Sequence, residues 1–242
     1  MTEVAIKSKE LLNLLLGKGV NFFHHANTVK TSLTFIDQGA MMSRAYVEAN
    51  GLTQTSQSSD AVDKEFDIWD VVFLDGTDLH KKFGRRNEYG PILFLLDLNI
   101  LENFESVRVT KTNPSYWRTA KTKFFSSSDE INKNYLTGDS FQDGQTMFLF
   151  DKPEKTISLE KYCRKIIVDD PKLILVSQKD NSEKAIADMV LNTISSALTN
   201  SKLSNIEVLL RHKEERTPCS CSRFYQAMYK SNKEKFDKLF KK

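Results

Sequence analysis

Apolar residues along this chain gather in short dense runs separated by polar stretches, the pattern of a sheet with helices packed around it. Residues 69–74 and 91–98 are nearly unbroken apolar runs and predict central strands covered on both faces. Val107-Arg108-Val109-Thr110 alternates and predicts an edge strand. Further strands are expected at 146–150, 164–168, 173–176 and 206–210. Helical spacing is clearest over 181–200, where Ala185, Ile186, Met189, Val190, Ile194 and Leu198 share a face. The leucines at 11, 12, 14, 15 and 16 predict a helix over 3–16, stopped by Gly17-Lys18-Gly19. A second helix is expected over 31–38, closed by Gly39 and preceded by the extended Asn21-Phe22-Phe23-His24-His25. The tail, 221–242, predicts one basic amphipathic helix with Phe224, Met228, Phe236, Leu239 and Phe240 on its apolar side. Residues 48–67 are polar and without period, so a long loop is expected there, and such loops often carry function. With no repeat, low-complexity tract or linker, the chain reads as one α+β domain over 1–242.

Composition narrows the class. A hydrophobic content of 40% is enough for a packed core. No apolar run approaches the roughly 20 residues that span a bilayer, and Met1-Thr2-Glu3 opens no signal peptide. The three cysteines, Cys163, Cys219 and Cys221, are odd in number and fit a reducing cytosol. A cytoplasmic protein with no membrane partner is expected.

Net charge is only +3, from 35 basic and 32 acidic residues, but its distribution is uneven. His80-Lys81-Lys82-Phe83-Gly84-Arg85-Arg86 is a basic cluster. Over 108–125, Arg108, Lys111, Arg118, Lys121 and Lys123 stand among Tyr116, Trp117, Phe124 and Phe125. Cations interleaved with aromatics can hold phosphate and stack bases, which makes Arg85, Arg86, Lys111, Trp117 and Arg118 nucleic-acid candidates. A solvated edge over core aromatics would look the same. His212, Cys219 and Cys221 lack a clear fourth ligand, so no metal is expected. The phosphate-loop, dinucleotide, zinc-protease and serine-hydrolase signatures are absent from the sequence.

Three blocks in order resemble the DarT-type ADP-ribosyltransferases, enzymes of toxin and phage-defence systems that use NAD to modify nucleic acid, and also their mRNA-modifying relatives. The first is Phe22-Phe23-His24-His25-Ala26-Asn27-Thr28 running through Ser32-Leu33-Thr34-Phe35-Ile36-Asp37-Gln38-Gly39. The second is Trp69-Asp70-Val71-Val72-Phe73-Leu74, then Asp78-Leu79-His80-Lys81, then Gly90-Pro91-Ile92-Leu93-Phe94-Leu95. The third spans 145–169 and begins Gln145-Thr146-Met147, similar to the family's Gln-x-Glu strand. The resemblance covers roughly 21–170 and implies an ADP-ribosyltransferase-like fold, a split mixed β-sheet with flanking helices. It implies NAD as substrate, single-stranded DNA or RNA as acceptor, and an antitoxin as a possible partner.

The chemistry so implied breaks the bond between nicotinamide and ribose through an oxocarbenium-like transition state. A carboxylate beside the sugar would stabilise that charge, and Arg would suit the pyrophosphate. By resemblance, one of His24 and His25 lies against NAD, with Asn27 and Thr28 supplying hydrogen bonds. Ser43-Arg44 follows the short helix, and Arg44 is expected at the pyrophosphate or ribose. Lys64 is the second candidate, on a loop that would cover NAD. Gln145 carries over as the first residue of the pair, but Met147 stands where the Glu is expected. A thioether bears no charge and takes no proton. The chain is then an inactivated form, or uses another acid, with Asp143 nearest in sequence, or aligns in another register.

Overall fold

The computed structural model describes residues 4–78, 88–134, 146–151, 156–176, 182–211 and 221–242. Arg85, Arg86, His80, Asp143, Gln145, His212 and Cys219 lie outside these residues. Among the described residues no helix is long and apolar enough to cross a membrane.

The chain opens with β1 (Ile6–Lys7) and α1 (Ser8–Gly17), then β2 (Phe22–Asn27), α2 (Val29–Asp37), β3 (Ala40–Met42), α3 (Arg44–Ala49) and α4 (Asp60–Glu65). Next come β4 (Val72–Asp75), β5 (Ile92–Asp97), β6 (Ser106–Val109), α5 (Ser128–Asn134) and β7 (Met147–Phe150). Then follow β8 (Thr156–Ser158), α6 (Leu159–Tyr162), β9 (Cys163–Val168), β10 (Ile174–Val176), β11 (Glu183–Ala185) and α7 (Ile186–Asn200). The chain ends with β12 (Glu207–Leu210), α8 (Cys221–Ser231) and α9 (Lys233–Phe240). Helices and strands are mixed around one large sheet, as an α+β domain requires.

Eight strands form that sheet in the order β1-β6-β7-β4-β2-β5-β9-β12. The sheet is mixed, with only β9 and β12 parallel among its described pairs. Its weak point is the middle. β2 pairs with β5 over six positions, from Phe22↔Asp97 to Asn27↔Ile92, yet meets β4 only at His24↔Asp75. An unbroken ladder would go on to bring His25 opposite Leu74 and Ala26 opposite Phe73. Instead the His25 ring takes the Phe73 carbonyl at 2.8 Å, and the two halves of the sheet splay apart.

Alternation decides what each strand buries. On β7, Phe148 and Phe150 enter the main core and meet Phe23 of β2 at ring-centroid distances of 4.9 and 5.5 Å. Met147 and Leu149 face the other way, into a smaller cluster with Ile68, Val71 and Trp117. Gly90 lies against the end of β2. A Cβ there would stand 2.2 Å from the Asn27 carbonyl oxygen, and its φ of +138° is one that side chains disfavour.

Several elements differ from their sequence-based expectations. The 107–110 strand is not an edge: β6 lies between β7 and the two-residue β1. The long loop over 48–67 contains α4. The helix expected from 181 starts at Ile186, because Glu183–Ala185 pairs with β10 instead. The tail is two helices rather than one. Asn232, with φ −150°, leaves the helical path, and its side chain caps α9 by accepting the Lys235 amide.

Candidate functional site

The splay between β2 and β4 opens a cleft of about 750 Å³, counting the space that joins solvent. β2 supplies His25, Ala26 and Asn27; β4 supplies Phe73 and Asp75; Met147 starts β7. Arg44, Gln54, Gln57, Ser59 and Asp63 line it from the α3–α4 segment, and Tyr89, Asn113 and Pro114 complete the lining. Residues 25, 44 and 147, far apart in sequence, therefore share one cavity.

On β2 the polar side chains are locked to one another. His25 Nδ1 lies 2.8 Å from the Phe73 carbonyl oxygen, and its Nε2 lies 3.2 Å from Asn27 Nδ2. A neutral ring satisfies both, with Nδ1–H donating to the carbonyl and Nε2 accepting from the amide. Burial pulls the His25 pKa down to about 4, against the pull of the Phe73 carbonyl, and the nearby Arg44 charge lowers it further. Asn27 Oδ1 in turn accepts the Thr28 amide at 2.9 Å. Both His25 and Asn27 are thereby held in one orientation toward the cavity.

Arg44 opens α3, with Ser43 as the cap: the Ser43 hydroxyl accepts the Tyr46 amide. Its guanidinium donates to Asp60 at 2.9 Å and to the Thr55 carbonyl at 3.1 Å, and lies 5.1 Å from the centre of the Trp69 ring. Its Nε is buried without a hydrogen-bond partner among the described residues. An oriented cation with a spare buried donor at a cavity wall fits an anionic ligand such as a pyrophosphate.

The remaining sequence candidates are placed elsewhere. His24 pairs opposite Asp75 on the sheet and is not among the cavity-lining residues. Thr28 caps α2, accepting the Thr31 amide, and bonds the Thr55 hydroxyl at 2.8 Å. Lys64 is exposed, pairs with Glu48 and lies 4.3 Å over Trp69. Lys111 forms an ion pair with Glu130. Trp117, only 2% exposed, packs edge-on against Phe66 and Phe124, so its face is turned inward, away from any base. Its neighbour Tyr116, 54% exposed, is the ring that faces solvent. Arg118 forks onto Glu65 at the surface.

Two carboxylates in the cleft were not read from the sequence. Asp63, on α4, is buried, and desolvation pushes its pKa up to about 6, against a Ser59 hydrogen bond and with help from the Asp60 charge. Asp75 ends β4, directly opposite Met147. The sequence signal for Asp75 was available: it is the first polar residue after the apolar run of β4.

No protein-family model and no curated protein matches the chain. Solved structures do align with it. Thermus sp. 2.9 DarT in complex with ADP-ribosylated ssDNA aligns with a TM-score of 0.52 at 11% identity, over 82% of this chain and 97% of that one. Thermus sp. 2.9 DarT in complex with NAD+ aligns with a TM-score of 0.48 at 12% identity, over 79% and 96%. On the first of these alignments, the chain has the fold of DarT, the ADP-ribosyltransferase-like architecture expected from its sequence. The three resembling blocks form β2–α2, β4–β5 and β7–β9 of that fold.

Proposed function

We propose that this chain is an NAD-dependent ADP-ribosyltransferase that modifies a base of single-stranded DNA or RNA. The observation that carries the reading is the convergence of His25, Asn27, Arg44 and Met147 on one cleft at the split of a DarT-like sheet. The fit of NAD to these residues rests on their chemistry. Arg44 would hold the pyrophosphate, and the locked His25–Asn27 pair would present fixed polar edges to the nicotinamide riboside. Single strands are the favoured acceptor because a base must leave its stack to reach the ribose carbon. Asn113 in the lining, with exposed Tyr116 three residues on, gives such a base an approach. A role as a toxin or anti-phage effector, restrained by an antitoxin, follows from the resemblance.

A second reading, a non-catalytic nucleic-acid- or partner-binding protein, is favoured by one feature. Met147 packs into the apolar cluster of Ile68 and Trp117 where a carboxylate is expected. The two readings separate in one assay. The protein is incubated with NAD and single-stranded DNA or RNA oligonucleotides, and nicotinamide release and oligonucleotide mass are followed. The enzyme reading expects both nicotinamide release and an added ADP-ribose mass. Oligonucleotide binding without nicotinamide release would favour the binding protein.

A further inference from the structure

Four strands meet in one row beneath the cleft. His24 of β2 lies opposite Asp75 of β4, and Asp75 lies opposite Met147 of β7. Thr110, just beyond β6, completes the row: its amide donates to the Met147 carbonyl, and its hydroxyl accepts the Met147 amide, both at 2.9 Å. Directly opposed residues point to the same face of a sheet, with Cβ atoms roughly 5 Å apart. Asp75 and Met147 both line the cleft. A carboxylate on the neighbouring strand therefore stands beside the place where a Glu at 147 would put its own.

Resting on the NAD-dependent reading above, we propose that Asp75 is the catalytic carboxylate of this chain, displaced by one strand from position 147. In this role Asp75 faces the reacting ribose. The bond from ribose C1′ to the nicotinamide nitrogen breaks, and its electron pair leaves with nicotinamide as a neutral molecule. The Asp75 charge stabilises the developing cation at C1′. A base N–H attacks C1′, the new C–N bond forms, and the proton lost from that nitrogen passes to Asp75 and on to water. Met147 then needs no charge, and its thioether forms an apolar floor beside the reacting carbon.

The register explains why the exchange is feasible. A Glu side chain reaches one bond farther than Asp, and Asp75 sits at the joint where β2 and β4 part. The acid there is 8% exposed, inside the cleft rather than at its mouth. Asp63 is the other cleft carboxylate among the described residues, but it lies on α4 and is not paired across the sheet with residue 147.

The test uses the whole chain and four forms: wild type, Asp75→Asn, Asp63→Asn and the double variant Asp75→Asn with Met147→Glu. NAD binding is measured by titration calorimetry, nicotinamide release in the presence of single-stranded DNA and RNA oligonucleotides by chromatography, and folding by thermal unfolding. Asp75→Asn is expected to bind NAD within a few-fold of wild type and to lose nicotinamide release by about 100-fold or more. The double variant is expected to recover most of that loss, because the carboxylate returns on the adjacent strand. Recovery also answers the objection that Asn at 75 merely disturbs folding. Asp75→Asn turning over like wild type, or Asp63→Asn alone abolishing turnover, overturns the assignment while leaving the enzyme reading intact. Wild type that binds NAD without releasing nicotinamide overturns the assignment and the transferase activity together. Wild type that does not bind NAD overturns the NAD-dependent reading itself.

Discussion

The two walls of the cleft are built on opposite principles. The β2 wall is polar and locked: His25, Asn27 and Thr28 bond in series, and Arg44 is pinned by Asp60 and the Thr55 carbonyl. The β7 wall is apolar: Met147 and Leu149 rest on Ile68, Val71 and Trp117, with Asp75 the carboxylate beside them. Polar side chains held in one geometry bind without further ordering cost, and an apolar wall strengthens any charge set against it. In the proposed enzyme the difference gives recognition to one wall and chemistry to the other.

The contrast can be broken most severely at Gly90. Gly90→Ala drives a methyl group into the Asn27–Thr28 backbone and strains a φ of +138°. A loss of about 3 kcal/mol in stability is expected, read from the shift of the denaturant midpoint. A variant as stable as wild type would mean that the β2 wall is not fixed by this contact.

Next in size is Arg44. Arg44→Ala should weaken NAD binding by roughly 30-fold, about 2 kcal/mol, with little change in folding. Lys at this position should not restore affinity, because it lacks the planar fork held by Asp60 and Thr55. Calorimetry checks both variants, and unchanged affinity in Arg44→Ala would move the anion site elsewhere.

The pH dependence sharpens the comparison further. His25 takes a proton near pH 6.5 when unfolded but near 4 when folded, so its stabilisation is complete above 6.5 and drains away as pH falls toward 4. Asp63 runs the other way. Its folded carboxyl takes a proton near pH 6 and the unfolded one near 3.8, so its contribution is complete below 3.8 and is lost as pH rises through 6. Between pH 4 and 6 the two offset each other. Asp63→Asn should uncover the His25 slope, a stability loss of at most about 3 kcal/mol on acidification. Equal slopes for wild type and Asp63→Asn in denaturant titrations across this range would rule out the offset.

The smallest effect is expected at Lys64. Its exposed pair with Glu48 is of the kind worth under about 1 kcal/mol, and Lys64 does not line the cleft. Lys64→Ala should leave NAD affinity within two-fold of wild type by the same calorimetry. A ten-fold loss would restore Lys64 to the ligand's surroundings.

Much of the frame was legible in the chain. The dense runs that became β4 and β5 announced central strands, because strands covered on both faces need apolar residues at every position. Thr28 and Ser43 were read as ligand contacts, yet each stands one residue before a helix and accepts an amide of the first turn. That is a cap signature, and it was readable from the sequence. Trp117 was read as a stacking ring because composition cannot say which way an aromatic turns. Its burial follows from packing against Phe66 and Phe124.

The sequence by itself determined β4–β7, β9, β10 and β12, the first two helices and the absence of Glu from position 147. The tertiary structure alone decided what stands beside that position. Asp75 and Met147 are remote along the chain and adjacent in the sheet, because cross-strand register is set by the pairing of whole strands and not by any local period. The same reason hid Asp63, whose carboxyl becomes part of the cleft only when α4 folds back over the splayed edge of β2 and β4.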